Sequence, residues 1–141
     1  MGRFKRILVP VDLGHDSSWR EALPTAVDQA QHAGANLHIV TVIPEEPPQL
    51  SWLPEDYTEK MIAHAKPKLD ELIEAHVPAV VSTEQHVRQG SIYKEIVDLA
   101  HELEIDLIVM ASHRPQLKDY LLGPNAARVV RHAECSVMVI R

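Results

Sequence analysis

Two stretches of this chain are apolar at every position: Ile7-Leu8-Val9-Pro10-Val11 near its start and Leu107-Ile108-Val109-Met110-Ala111 far along it. A strand with one face in water alternates apolar and polar residues, whereas a strand apolar throughout must be covered on both faces. Such strands sit at the centre of a parallel sheet sandwiched between helices. No other feature of the chain restricts its fold as much.

The intervening residues supply the covering layers. Asp12 to Ser18 is a turn cluster, and Asp16 or Ser17 is the expected N-cap of a helix running to about Ala33. Pro24 either kinks that helix or marks a late first turn. Gly34 stops it, and residues 37–43 form a second strand. Pro44, Pro47, Pro48 and Pro54 make the next segment a long irregular loop, which carries Trp52 and Tyr57. Met61, Ala65, Leu69, Leu72 and Ile73 recur at helical spacing over residues 56–76, with Pro67 interrupting the pattern. Residues 79–87 alternate loosely as a third strand. Gly90-Ser91 opens a helix with Ile92, Ile96, Leu99 and Leu103 on one face. After the second buried strand, 106–111, come a loop with Pro115, a short helix over 124–132 and a final strand, Val137 to Ile140.

Strands alternating with helices imply βαβ units with right-handed crossovers. The expectation is a single doubly wound α/β domain over residues 1–141, a five-stranded, mostly parallel sheet with helices on both faces. Hydrophobic residues are 45% of the chain but aromatic ones only 4%, so the core is expected to be aliphatic. The net charge of −6 argues against a sequence-independent grip on nucleic acid. Cys135 is the single cysteine and cannot form an internal disulfide. No apolar run approaches the roughly 20 residues of a membrane span, and residues 1–6 read neither as a signal peptide nor as a myristoylation site. These features predict a soluble, cytoplasmic domain with no membrane partner.

Open α/β sheets bind ligands at the carboxyl ends of their strands, where the strand order reverses. Three turns fall there: Pro10-Val11-Asp12, Thr41-Val42-Ile43, and Met110-Ala111-Ser112-His113-Arg114. Gly123-Pro124-Asn125 opens the last helix and is expected to close the crevice from above, presenting the partial positive charge of a helix N-terminus. The common phosphate fingerprints, G-x-x-x-x-G-K-[ST] and G-x-G-x-x-G, are absent. The nine histidines are scattered, with no metal-ligand spacing. Ser112, His113 and Asp12 supply the residue types of a hydrolytic triad without the G-x-S-x-G elbow. The acidic pair and acceptor of a phosphoreceiver domain are also missing. Asp12 alone reads either as a turn cap or as a ligand contact.

The sequence I-L-V-P-V-D at residues 7–12, the Thr41-Val42-Ile43-Pro44 strand end, Gly90-Ser91, and the tail A-S-H-R-P-Q-L-K-D-Y-L-L-G-P-N-A-A-R-V-V-R-H-A-E-C-S-V-M-V-I-R from residue 111 resemble the universal stress proteins, most closely their F/G-type branch. The resemblance spans essentially the whole chain. It implies the strand order 3-2-1-4-5 and binding of ATP, with Mg²⁺ arriving on the phosphates, by a stress-response sensor or adaptor that hydrolyses it slowly or not at all. Asp12 then matches the acidic residue near ribose and phosphates, with Pro10 and Val11 beside it lining the pocket. Val42 matches the residue whose backbone meets the adenine edge, and Met110 the one flanking the base. Ala111 and Gly123 match the first and the later motif glycines, and Ser112, His113, Arg114, Pro124 and Asn125 complete the loop and helix entry.

Two departures stand out. Arg114-Pro115 replaces the motif's second glycine in a loop one residue shorter. Pro124 stands where the family usually carries Ser or Thr, which removes an N–H and a hydroxyl, each worth roughly 1–3 kcal/mol toward a phosphate. Arg114, His113 and Lys118 are the charges available to compensate, with the amide of Asn125. The alternatives are an AMP- or adenosine-binding protein and a dimeric interaction module without nucleotide. The family likeness further implies a homodimer through Val137 to Ile140, possible pairing of dimers into a tetramer through the Pro-rich loop, and a protein partner the sequence does not identify.

Overall fold

The computed structural model describes residues 3–45, 52–112 and 123–141. Among these, five strands form one sheet in the order β3-β2-β1-β4-β5, every neighbouring pair parallel. They are β1 (Arg6–Pro10), β2 (Asn36–Ile43), β3 (Thr83–Gln89), β4 (Leu107–Ala111) and β5 (Ser136–Ile140). The four α-helices are α1 (Ala22–Ala33), α2 (Tyr57–His76), α3 (Ile92–Glu102) and α4 (Gly123–His132). The doubly wound sheet and its order are those expected, and none of these helices is long and apolar enough to cross a membrane.

The two apolar runs are the two central strands. Ile7, Leu8 and Val9 of β1 and Ile108, Val109 and Met110 of β4 are all fully buried. Successive side chains point to opposite faces, so β1 divides its residues between two cores. Ile7, Val9 and Val11 pack with Leu23, Ala26 and Leu69 from α1 and α2. Leu8 packs with Val40, Ile96, Leu99 and Val129 on the face covered by α3 and α4. At the amino edge the Asp106 carboxylate accepts the backbone N–H groups of Lys5 (2.9 Å) and Arg6 (3.1 Å), and the Asp106 N–H donates to the Arg6 carbonyl. These bonds fix the register of β1 on β4.

Three local expectations are corrected. The first helix does not start at Asp16 or Ser17: Asp16–Ser18 is a separate 3₁₀ turn, and α1 begins at Ala22. Pro24 is then the third residue of α1, where no intrahelical N–H is required of it. Pro67 does not interrupt α2, which continues through it. Pro67 is exposed, as is Ala63, whose carbonyl would have received the missing bond, so the gap in the helix ladder falls on the solvent side. The third strand starts later than residue 79, because Val81 donates its N–H to the Pro78 carbonyl in a turn that leaves Val80 exposed.

Two glycines hold positive φ for different reasons. Gly34 (φ 68°) ends α1 in the left-handed conformation, its N–H donating to Ala30, with open space where a side chain would sit. Gly90 (φ 143°) joins β3 to α3, and an added Cβ would lie 3.0 Å from the Glu95 carboxylate. Gly34→Ala is expected to cost about 1 kcal/mol, the price of one left-handed residue. Gly90→Ala, strained and crowded together, should cost about 2–3 kcal/mol. Urea unfolding of the two variants checks both the sizes and their order.

Candidate functional site

The strand order reverses between β1 and β4, and there the sheet opens. β1 and β4 pair only at Ile7↔Leu107 and Leu8↔Ile108. Beyond that point β1 stays with β2, pairing Pro10↔Val40 with Val11 donating to the Val40 carbonyl at 2.8 Å. β4 stays with β5 to Ala111↔Ile140, and Ser112 donates to Ile140 at 2.9 Å. Pro10 explains the parting. Donors alternate sides along a strand, so with Val11 aimed at β2 the nitrogen of Pro10 faces β4, and it carries no hydrogen. The ladder lacks its next donor, and the pairing of the two halves of the sheet ends there, at the switch point where such folds form their crevice.

Asp12 stands at the mouth on a loop that its own side chain organises. Its Oδ1 accepts the Gly14 N–H at 2.9 Å, and its Oδ2 lies 2.8 Å from Nδ1 of His15. Ser18, nearly fully buried, closes the loop from beneath: its Oγ accepts the Asp12 N–H at 2.8 Å and lies 2.8 Å from the His15 carbonyl, to which the hydroxyl can donate. Asp12 therefore fills the turn-capping role directly. The arrangement also gives His15 a carboxylate that orients its ring, a partnered imidazole that sequence reasoning did not find. Ser18 was missed as well, since only its burial reveals its function.

Val42 and Met110 flank the crevice from β2 and β4. Met110 is fully buried and Val42 almost so, and both belong to the core on the α3–α4 face, beneath the strand ends. Ala111 and Ser112 are half-buried at the rim. Gly123 begins α4, Pro124 is exposed on its first turn, and Asn125 is half-buried. The Asn125 Oδ1 accepts the Tyr93 N–H at 3.1 Å, so it caps the first turn of α3 and ties the starts of the two helices together. Arg128 lies over the Tyr93 ring, 5.4 Å from its centroid, and strengthens the same junction. Gly90 donates to the Ile43 carbonyl at 2.9 Å, which joins the ends of β2 and β3 on the same side of the sheet. His113 and Arg114, with Lys118, lie outside the described residues. The structure thus places Pro10, Val11, Asp12, Val42, Met110, Ala111 and Ser112 at the carboxyl ends of β1, β2 and β4, on the two sides of the β1–β4 seam.

Elsewhere the chemistry is plain. A cleft of about 680 Å³ lies at the opposite edge, between the ends of α3 and α4, lined by Val97, His101, Ile105, Glu134 and Cys135 among others. Burial pushes the Cys135 thiol upward, away from the reactive thiolate. Among the described residues, no three His, Cys, Asp or Glu side chains are grouped to hold a metal ion.

A five-stranded parallel sheet of this order, with its β1–β4 pairing ending early beside the Asp12 loop, defines a doubly wound α/β domain whose topological switch point lies between β1 and β4. The model of the universal stress protein family matches residues 3–141, and the chain belongs to that family. It is 32% identical to Universal stress protein G of Shigella flexneri over 98% of this chain and 99% of that protein. Among solved structures it resembles the universal stress protein UspA from Lactobacillus plantarum, with 30% identity, a TM-score of 0.79 and complete coverage of both chains. A universal stress protein solved in complex with cAMP shares the fold at 23% identity and a TM-score of 0.67, covering 99% of this chain and 98% of that one.

Ser18→Ala leaves the Asp12 N–H without its buried acceptor. The expected loss is about 1–3 kcal/mol in urea unfolding, the usual penalty for an orphaned buried donor. Backbone amide shifts of Gly14 and His15 should move with it, because the Asp12 loop loses its floor.

Proposed function

We propose that the crevice between β1 and β4 binds an adenine nucleotide, ATP foremost and with Mg²⁺ on its phosphates, and that the protein acts in the cytoplasm as a stress-response sensor or adaptor. The observation that carries this reading is the splayed seam itself. It lies at the switch point, with apolar Val42 and Met110 at the adjoining strand ends, which suit a base, and with Asp12 and backbone beside it, which suit a ribose. The nucleotide-bound neighbour of the same fold supports the ligand class. In this reading Val11, Val42 and Met110 hold the base, Asp12 meets the ribose, and Ala111, Ser112 and the α4 entry at Gly123 and Asn125 face the phosphates with His113 and Arg114. Bound ATP would supply a phosphate-dependent signal, with hydrolysis slow or absent.

Pro124 favours a second reading in which the terminal phosphates are held poorly and AMP or adenosine is the better ligand. Mass spectrometry of small molecules released from denatured protein, followed by calorimetric titration with ATP and Mg²⁺, tests the proposal. Co-purified nucleotide or micromolar affinity is expected. Indifference to millimolar ATP, AMP and adenosine would move the function to an interaction surface. Pro124→Ser is expected to tighten ATP about tenfold relative to adenosine, the worth of one hydrogen bond to a charged group.

The same reading assigns a homodimer through β5. This edge strand has β4 on one side, Val139 is 38% exposed, and Val130 on α4 is 53% exposed. An open apolar edge is a template for pairing, and two-fold pairing with a second copy would cover it. Light scattering at micromolar concentration should give twice the chain mass, and Val139→Lys should shift it toward the monomer. A tetramer built through the Pro-rich loop would appear as four times that mass.

A further inference from the structure

On the α3 side of the sheet, away from the crevice, two histidines meet inside the fold. His38 of β2 is 4% exposed, and its Nδ1 lies 3.0 Å from Nε2 of the half-buried His86 on β3. The rings are stacked with centroids 5.2 Å apart. A neutral imidazole carries one N–H and one bare nitrogen, so a contact this short is a hydrogen bond only when one proton lies between the two atoms. With both rings protonated, two N–H groups would point at each other and two positive charges would sit in contact.

The surroundings do not rescue that state. Arg6 of β1 and Arg88 of β3 add positive charge near the pair. Glu84 of β3 approaches His38 Nδ1 at 3.7 Å, but its side chain is 68% exposed and its field is weakened by water. Glu102 of α3 is held by Arg88, which also binds Glu95. The other face of β3 meets α2 through the Gln85 amide, which donates to Asp70. Burial is the largest influence on both imidazoles and pushes both below their ordinary value, with each other's proximity adding to the effect on His86.

β3 is an edge strand, laddered to β2 alone. The contact between His38 and His86 is the shorter of two side-chain contacts described between the strands on this face, the other being that of His38 with the exposed Glu84. We propose that the His38–His86 pair is an acid-sensitive clasp: with a single proton between the rings it holds β3 onto β2, and full protonation opens it, loosening β3 and the Gly90 turn that leads into α3. The sign follows from the lowered protonation of the folded state. The clasp is fully stabilising above the ordinary histidine value of 6.5 and is lost as pH falls from there through the lower folded values. Below those values the effect levels off.

Imidazole NMR of the unmodified ¹⁵N-labelled protein, together with hydrogen exchange corrected for intrinsic rates, tests the clasp. Two rings titrating below pH 6.5 are expected. Between pH 7.5 and pH 5.0, protection across residues 83–89 should fall about threefold or more relative to β1. In the double variant His38→Gln, His86→Gln, whose amides do not titrate, that difference should vanish. The proposal is overturned if both rings titrate at the ordinary value, if β1 loses protection as much as β3, or if a folded double variant keeps the pH dependence.

Discussion

A strand buried on both faces must satisfy its backbone along both edges, and β1 does so for only part of its length. Toward β2 it is paired from end to end, and toward β4 only over its first half. The break falls at Pro10, whose nitrogen faces β4 without a hydrogen to offer. A proline in a central strand is ordinarily a defect. Here it stands where the order reverses, so the defect and the binding position of the fold coincide. The core below the break remains aliphatic and closed, while the loops above it are polar and organised by their own hydrogen bonds.

Those loops divide the work at the crevice. Asp12, Gly14, His15 and Ser18 are bonded to one another on the β1 side. Tyr93, Asn125 and Arg128 form a second group, joining α3 to α4. Each group fixes its own loop or helix start through local hydrogen bonds or ring contacts.

The fold was legible in the sequence because its strongest signals were the central ones. Two uninterrupted apolar runs set the middle of the sheet, and Gly34 and Gly90-Ser91 set helix boundaries through a backbone geometry that few other residues tolerate. Errors gathered where local chemistry was ambiguous. Ser17 and Asp16 look like helix caps, but Ser18 is recruited by Asp12 and the helix waits until Ala22. Pro67 looks like a breaker, but it sits on an exposed face of a helix that continues through it. Val80 and Val81 look like strand, but Pro78 starts a turn. At the site, the main-chain positions could be named from the strand ends, whereas Ser18, the ring partner of His15 and the Tyr93–Asn125 link could not. Each depends on residues distant in sequence or on burial, which no local pattern encodes. The His38–His86 contact is of the same kind, 48 residues apart and visible only once β2 and β3 are laid side by side.

The bonds from Asp106 to Lys5 and Arg6 span about a hundred residues, 101 in the case of Lys5. During synthesis the chain therefore makes β1 about a hundred residues before it supplies that strand's second neighbour, β4. Until then β1 can pair with β2 and shelter under α1, but its β4 edge stays open to other chains. Parallel pairings of such long range close slowly. Until β4 is made, the nascent chain holds a half-sheet with an exposed seam, and its yield in a cell should depend on how well that intermediate is shielded.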